Sequence, residues 1–308
     1  MEGNVASDRP RAPQRLFKYA TAEVARIMVG TLTARWSSPL IFDDPRDARC
    51  DWRHFFHVDG ELVEDALAIV RSLIESHSTL PTTMSPVLRT SLELGRSALP
   101  LTTIDEILVG VRSTLGPNLE STRRSLQADN ERWLQLLEGT RIFCLSERHD
   151  SPTMWSKFGD NHHGAVLGFS VTGEGTIVTE SEVRPVRYSS EPAVVGDRRV
   201  WLEHAMGIAP IDLSDIAERI IYTKAVELGD EREWRCWRRA ESAEGSASRY
   251  DLFPFRASEL TSLYLGRDMA EGDRDKLLRV VARQVAHAQV WQALPASDSD
   301  SIEFIRFG

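Results

Sequence analysis

The chain has 308 residues, 37 of them Lys or Arg and 46 Asp or Glu, which gives a formal charge of −9 with an apolar fraction of 42%. At roughly 100–200 residues per domain this length allows one large domain or two modest ones, and the acidic balance argues against gripping nucleic acid mainly through phosphate contacts. No apolar run approaches the roughly 18 residues of a membrane span and the polar start lacks a secretory core, so the expectation is a cytoplasmic protein without a membrane partner.

Residues 1–14, rich in Pro, Arg and small polar side chains, read as a disordered arm, which leaves 15–308 as a single catalytic-type domain. Leu16-Phe17-Lys18-Tyr19 is short, aromatic and strand-like, and Thr21 opens a helix carrying Val24, Ile27 and Met28. Trp36 to Phe42 follows as a second extended piece, closed by the acidic turn Asp43-Asp44-Pro45-Arg46-Asp47. Between residues 59 and 139 the pattern turns helical, with Leu62, Ala66, Val70 and Leu73 marking one helix and Leu119, Leu126, Trp133 and Leu137 another. The expectation is a helical insertion that covers a cleft or docks a partner.

Arg141–Leu145 reads as a strand, Met154-Trp155 as a short helix and Gly164–Phe169 as a buried strand, followed by another strand over Val183–Tyr188. Helical stretches are expected at 197–206 and 212–224. Glu231 to Trp237 alternates charge with bulk as a half-buried strand does. Strands near 251–256, 260–266 and 302–307 bracket a last helix bearing Leu277, Val281, Val285 and Ala288. Strands scattered among helices without a strict βαβ rhythm favour an α+β fold. The Gly-rich dinucleotide loop, the P-loop and the Gly-x-Ser-x-Gly elbow are all absent from the sequence.

Three cysteines, Cys50, Cys144 and Cys236, lie far apart without a Cys-x-x-Cys pair and read as buried thiols. Only four of the 37 basic residues are lysine, namely Lys18, Lys157, Lys224 and Lys276. Arginine is therefore the default cation, and each retained lysine invites the question whether a compact point charge is needed there, a weak pointer because four residues could survive by chance.

Two constellations carry chemistry. On a strand, Glu231 and Glu233 would face one space with Arg235 a step further, either as a solvated face, or as a pair that orients a sugar hydroxyl beside an oxocarbenium-like centre, or as a pair that holds a metal. The run Met154 to Gly164 gathers Trp155, Phe158, Lys157, His162 and His163, either as a helix anchored in the core or as the rim of a ligand cleft.

The series Leu16 to Tyr19, Phe42 to Asp47, Met154-Trp155 through His162-x-Gly164 with Gly168-Phe169, Lys224 with Glu231-x-Glu233-Trp234-Arg235, and Leu265-Gly266 resembles a bacterial family known as domain of unknown function 2971. The resemblance runs from about residue 16 to the C-terminus. Asp43 stands where that family more often has Asn, and Arg46 where it has an aromatic. The order of parts also resembles ADP-ribosyltransferases, which implies a split β-sheet core and NAD as substrate. By that resemblance Glu233 and Glu231 are catalytic, while Lys18, Tyr19, Ser37, Ser38, Asp44, Trp155, Phe158, His162, Lys224 and Arg235 hold NAD. A toxin or phage-defence effector is then expected, with a macromolecular acceptor and an inhibitory or activating protein partner. Two further readings stay open: a metal-dependent phosphodiesterase or nuclease using Asp43, Asp44, Asp47, Glu231, Glu233 and Lys224, and a noncatalytic nucleotide sensor.

Overall fold

Strand β1 (Arg15–Ala20) sets the architecture by alternation: Leu16 and Ala20 enter one apolar cluster, Phe17 and Tyr19 another on the opposite face. The computed structural model describes residues 13–44, 47–48, 60–76, 78–99, 101–172, 183–190, 198–240, 248–294 and 302–307. The expected arm over 1–14 lies almost wholly outside them, as does Cys50. By its contacts the chain divides into two units, one formed by 1–48, 137–192 and 221–308 and the other by 49–136 and 193–220.

In the first unit Thr21 caps helix α1 (Ala22–Thr31), its hydroxyl accepting from the Val24 amide at 3.2 Å. Strand β2 is Thr33–Ser37 and stops there because Ser38 caps a 3-10 turn over Pro39–Ile41, so the extended piece expected over Trp36–Phe42 is half strand and half turn. The other unit holds α2 (Gly60–Ser76), α3 (Pro86–Ala98) and most of α4 (Ile104–Glu138), around a core with Leu62, Val70, Ile74, Leu92 and Leu108. The side chains of Leu119 and Leu126 lie outside the described residues. This unit also takes in residues 193–220, which the sequence reading left in the main body.

The chain continues through β3 (Thr140–Ser146), α5 (Pro152–Phe158), β4 (Ala165–Ser170), β5 (Arg184–Pro185), β6 (Arg187–Ser189), α6 (Arg198–Ala205), α7 (Leu213–Ile221), β7 (Thr223–Ala225) and β8 (Glu233–Arg239). It ends with β9 (Tyr250–Pro254), β10 (Leu260–Leu265), α8 (Glu271–Gln284), β11 (Gln289–Ala293) and β12 (Phe304–Arg306). The fold is α+β, as its sequence pattern predicts. Two strands were not legible: β7 ends what reads as a helix, and β11 follows α8, carrying the chain past Val285 and Ala288, which lie beyond the helix end.

The main sheet runs β12-β11-β10-β4-β1-β3-β2-β9, antiparallel throughout except for β10 and β11, which α8 joins by the crossover a parallel pair needs. It forks at β3. One edge of β3 pairs along its whole length with β8. Its other edge meets β1 only through Ser146 and Phe17, and β2 only through Ile142 and Ser37. Between those points the two neighbours diverge, and the Lys18 ammonium donates to the Cys144 carbonyl across the gap at 3.1 Å. α1 and α8 pack on one face of this sheet through Ala25, Met28, Leu277 and Val281, whereas Met154 and Trp155 of α5 join Phe17 and Tyr19 on the other. Among the described residues no helix is long and apolar enough to cross a membrane.

Candidate functional site

Where β1 leaves β3, a cavity of about 240 Å³ opens on the α5 face of the sheet. Phe17, Tyr19, Phe42 and Phe158 supply aromatic walls, and Lys18, Lys157, Lys224, Glu231 and Glu233 supply charge. Asp43, Asp44 and Asp47 complete the acidic side. Three of the chain's four lysines thus line one small space while the arginines serve elsewhere, which answers the question posed by lysine scarcity.

The two glutamates arrive by a route that strand alternation does not describe. Glu231 closes a 3-10 turn over Val226–Glu231, Arg232 takes a left-handed conformation at φ 40°, and β8 begins only at Glu233. The expectation that Glu231 and Glu233 share one strand face is corrected accordingly; Glu233 and Arg235 share it, and the turn swings Glu231 alongside.

Four of these groups close a ring of alternating charge. Lys224 Nζ lies 2.9 Å from Glu233 and 3.3 Å from Asp47, and Arg235 binds Glu233 Oε1 at 2.8 Å and Asp47 Oδ1 at 2.7 Å. Arg235 also donates to the Ile221 carbonyl at 2.6 Å, and its side chain is fully buried. Burial alone would discharge such groups. Burial of Glu233 works toward a neutral carboxyl, but Arg235 and Lys224 outweigh it and hold the group well below the usual carboxylate range. Lys224 is driven the other way, above the usual ammonium range, because Glu233 and Asp47 outweigh its desolvation.

Glu231 stands outside the ring. Its Oε2 accepts from Lys224 at 2.5 Å and its Oε1 from Lys157 at 2.8 Å, which leaves acceptor capacity on both oxygens. Glu233, by contrast, accepts from Arg235 on both oxygens and from Lys224. Cys144 lines the cavity half-buried rather than sealed in the core; burial, with Glu233 beside it, pushes its thiol above the ordinary range and keeps it protonated. Cys236 is buried, as expected.

Of the residues singled out from sequence, Lys18, Tyr19, Asp44, Phe158, Lys224, Glu231 and Glu233 line the cavity, and Ser37, Ser38, Trp155, His162 and Arg235 do not. Ser37 ends β2, its backbone paired with Ile142 and Tyr250, and the Ser38 hydroxyl donates to the Leu137 carbonyl at 3.0 Å while capping the turn that delivers Phe42 and Asp43. Trp155 is fully buried: its indole N–H donates to the His149 carbonyl at 2.7 Å, and its ring meets Tyr19 edge-on, bracing that residue from behind. His162 stacks on Trp155 in a turn with positive φ at Asp160, Asn161 and His162, and Gly164 and Gly266 are glycines because a Cβ there would overlap the carbonyls of Ala20 and His162. Within the Met154–Gly164 run, Trp155 and the 160–164 turn therefore shape the wall from behind, while Met154, Lys157 and Phe158 line the space. Phe17, Phe42 and Lys157 were not foreseen as site residues; for Lys157, lysine scarcity was the available signal.

Asp47, Glu231 and Glu233 converge on ammonium and guanidinium groups, and among the described residues no cluster of three His, Cys, Asp or Glu has metal-holding geometry. No protein-family model, curated protein or solved structure matches the chain.

The ring makes stability depend on pH in a defined direction. A carboxylate whose pKa is lowered by folding contributes stability above its ordinary value, here 4.5, and loses it as pH falls below that value. Lys224, raised by folding, contributes fully below its ordinary 10.5 and loses its share as pH climbs beyond. Calorimetric melting temperatures are expected to fall steeply below about pH 4.5, and Glu233→Gln to flatten that acid limb. An acid limb unchanged in the variant would remove Glu233 as its source.

Proposed function

We propose that the protein binds NAD in the fork cavity and transfers its ADP-ribose to an acceptor nucleophile, the fork corresponding to the split sheet of an ADP-ribosyltransferase-like core. The observation that carries this reading is a carboxylate, Glu231, that sits beside a closed charge ring at the floor of an aromatic-walled cavity, held by one lysine on each oxygen and keeping acceptor capacity on both. A space of about 240 Å³ suits a ring and a sugar rather than a whole dinucleotide, so the nicotinamide riboside half enters and the adenylate stays outside.

In the reaction the bond between nicotinamide nitrogen and ribose C1′ breaks, and its electron pair leaves with the neutral nicotinamide. The sugar left behind is an oxocarbenium-like cation. Glu231 accepts from a ribose hydroxyl and sets its negative charge beside that centre, while the flat ring packs against Phe17, Tyr19, Phe42 or Phe158. The acceptor then supplies a lone pair to C1′ and gives up its proton to water. Counting Arg235 behind the wall, five carboxylates face four cations, an imbalance that favours a cationic guest.

A second reading, nucleotide binding without turnover, is favoured by the saturation of Glu233, which has no role left beyond holding the floor in place. Incubation of purified protein with NAD, followed by chromatography and mass spectrometry, separates the two. Stoichiometric or faster release of nicotinamide is expected; NAD recovered intact with protein, nucleic acid and water as acceptors, together with calorimetric binding of NAD, would establish the sensor instead. The effector role of toxin or phage-defence type, and a silencing or activating partner, belong to this same proposal.

A further inference from the structure

Lys157 is the exposed member of the cavity's three lysines, with 44% of its side chain open to solvent against 7% for Lys224. Its ammonium rests 2.8 Å from Glu231 Oε1 and 4.8 Å from the centroid of the Phe158 ring. A carboxylate on one side and an aromatic face on the other is the chemistry that binds an organic cation. Glu231 is 4% exposed, so this seat faces the cavity rather than bulk water. The other buried charges of the floor are satisfied without Lys157, since Lys224 and Arg235 already serve Asp47 and Glu233. Nothing in the ring requires Lys157 to stay.

We infer that Lys157 is an internal stand-in for the positive charge of the ligand, occupying a cation seat built from Glu231 and Phe158, and that a ligand carrying a cationic ring displaces it. The ligand class is a flat organic monocation. This deepens the NAD reading and rests on it for the identity of the natural guest, because the oxidised nicotinamide ring is such a cation. Displacement couples binding to chemistry: as Lys157 swings to solvent, Glu231 Oε1 loses its ammonium partner, and its negative charge and a further acceptor position turn to the sugar. A guest without positive charge leaves Lys157 in place and Glu231 occupied.

The consequence has an unusual sign. Deleting a cation from a binding site should strengthen the binding of a cation. In calorimetric titrations with 1-methylnicotinamide, a permanent monocation, Lys157→Met is expected to bind about ten-fold more tightly than wild type, the gain when an internal competitor holds the seat about nine-tenths of the time. Neutral nicotinamide, the same ring without the charge, should gain far less. Lys157→Arg, which keeps a competing cation, should bind 1-methylnicotinamide no better than wild type, and Glu231→Gln should erase the preference for the charged ring. Lys157 is exposed, so Lys157→Met is expected to melt with the wild type, which circular dichroism checks.

An unchanged or weaker affinity in Lys157→Met, an equal gain for nicotinamide, or no binding of 1-methylnicotinamide to any variant would overturn the inference. Nicotinamide release from NAD, measured on the same preparations, keeps the two proposals apart. The titration pattern with NAD left intact retains the seat and rejects the transferase, whereas NAD turnover with Lys157→Met binding no better does the reverse.

Discussion

Arg235→Ala is expected to lower stability by about 3–5 kcal/mol, the range for removing one partner of a buried ion pair, and to drop the melting temperature by about 10 °C. The size follows from what remains. Asp47 and Glu233 lose their bidentate partner while staying 8% and 6% exposed, and Lys224 alone cannot neutralise them together with Glu231. The Ile221 carbonyl also loses its donor. Arg235→Lys should fall between wild type and alanine, since one ammonium restores the charge but cannot span both carboxylates and the carbonyl as a planar fork does. Arg26, whose pair with Glu23 lies in solvent, serves as control, and Arg26→Ala should leave the melt unmoved. Denaturant and thermal melts at pH 7 make the comparison. A melting curve for Arg235→Ala that overlays wild type would mean that the ring contributes nothing to the fold.

The parts of this molecule that rest on local pattern were readable in advance. The alternation in Leu16-Phe17-Lys18-Tyr19 set both faces of β1, Thr21 capped its helix, and the apolar run at 164–169 is buried strand. Lysine scarcity pointed at the site, because Lys18, Lys157 and Lys224 meet there from three separate elements. What escaped was decided by backbone geometry or by competition for a side chain. The left-handed Arg232 breaks the period of two on which the Glu231 and Glu233 reading depended. Ser38 looks like a ligand group in sequence, yet the Leu137 carbonyl and the turn amide claim its hydroxyl. Trp155 sits among polar neighbours in the chain, and only packing against Tyr19 and His162 shows that its ring faces inward. The fork at β3 is a matter of pairing between distant strands, which no local window contains.

Glu231→Gln is expected to reduce the rate of nicotinamide release by about 10²–10³-fold, the range for losing one preorganised electrostatic group, while leaving the melting temperature nearly unchanged. Glutamine keeps the shape and an acceptor oxygen but not the charge that faces the oxocarbenium-like sugar. The ring is untouched, because Lys224 still contacts Glu233 and Asp47, and Lys157 can turn to water from its exposed position. Glu233→Gln should behave in the opposite way. It takes one anion out of a closed ring, leaves the buried Arg235 with Asp47 as its one carboxylate while Lys224 keeps Asp47 and Glu231, and lowers stability first; whatever turnover it loses should be partly recovered when the assay is run well below its melting temperature. Steady-state rates at two temperatures, paired with melts of the same preparations, distinguish the roles. Full turnover in Glu231→Gln, with turnover abolished in a stably folded Glu233→Gln, would assign the chemistry to the glutamate inside the ring, and Arg235 would then hold the reactive carboxylate in position rather than merely neutralise it.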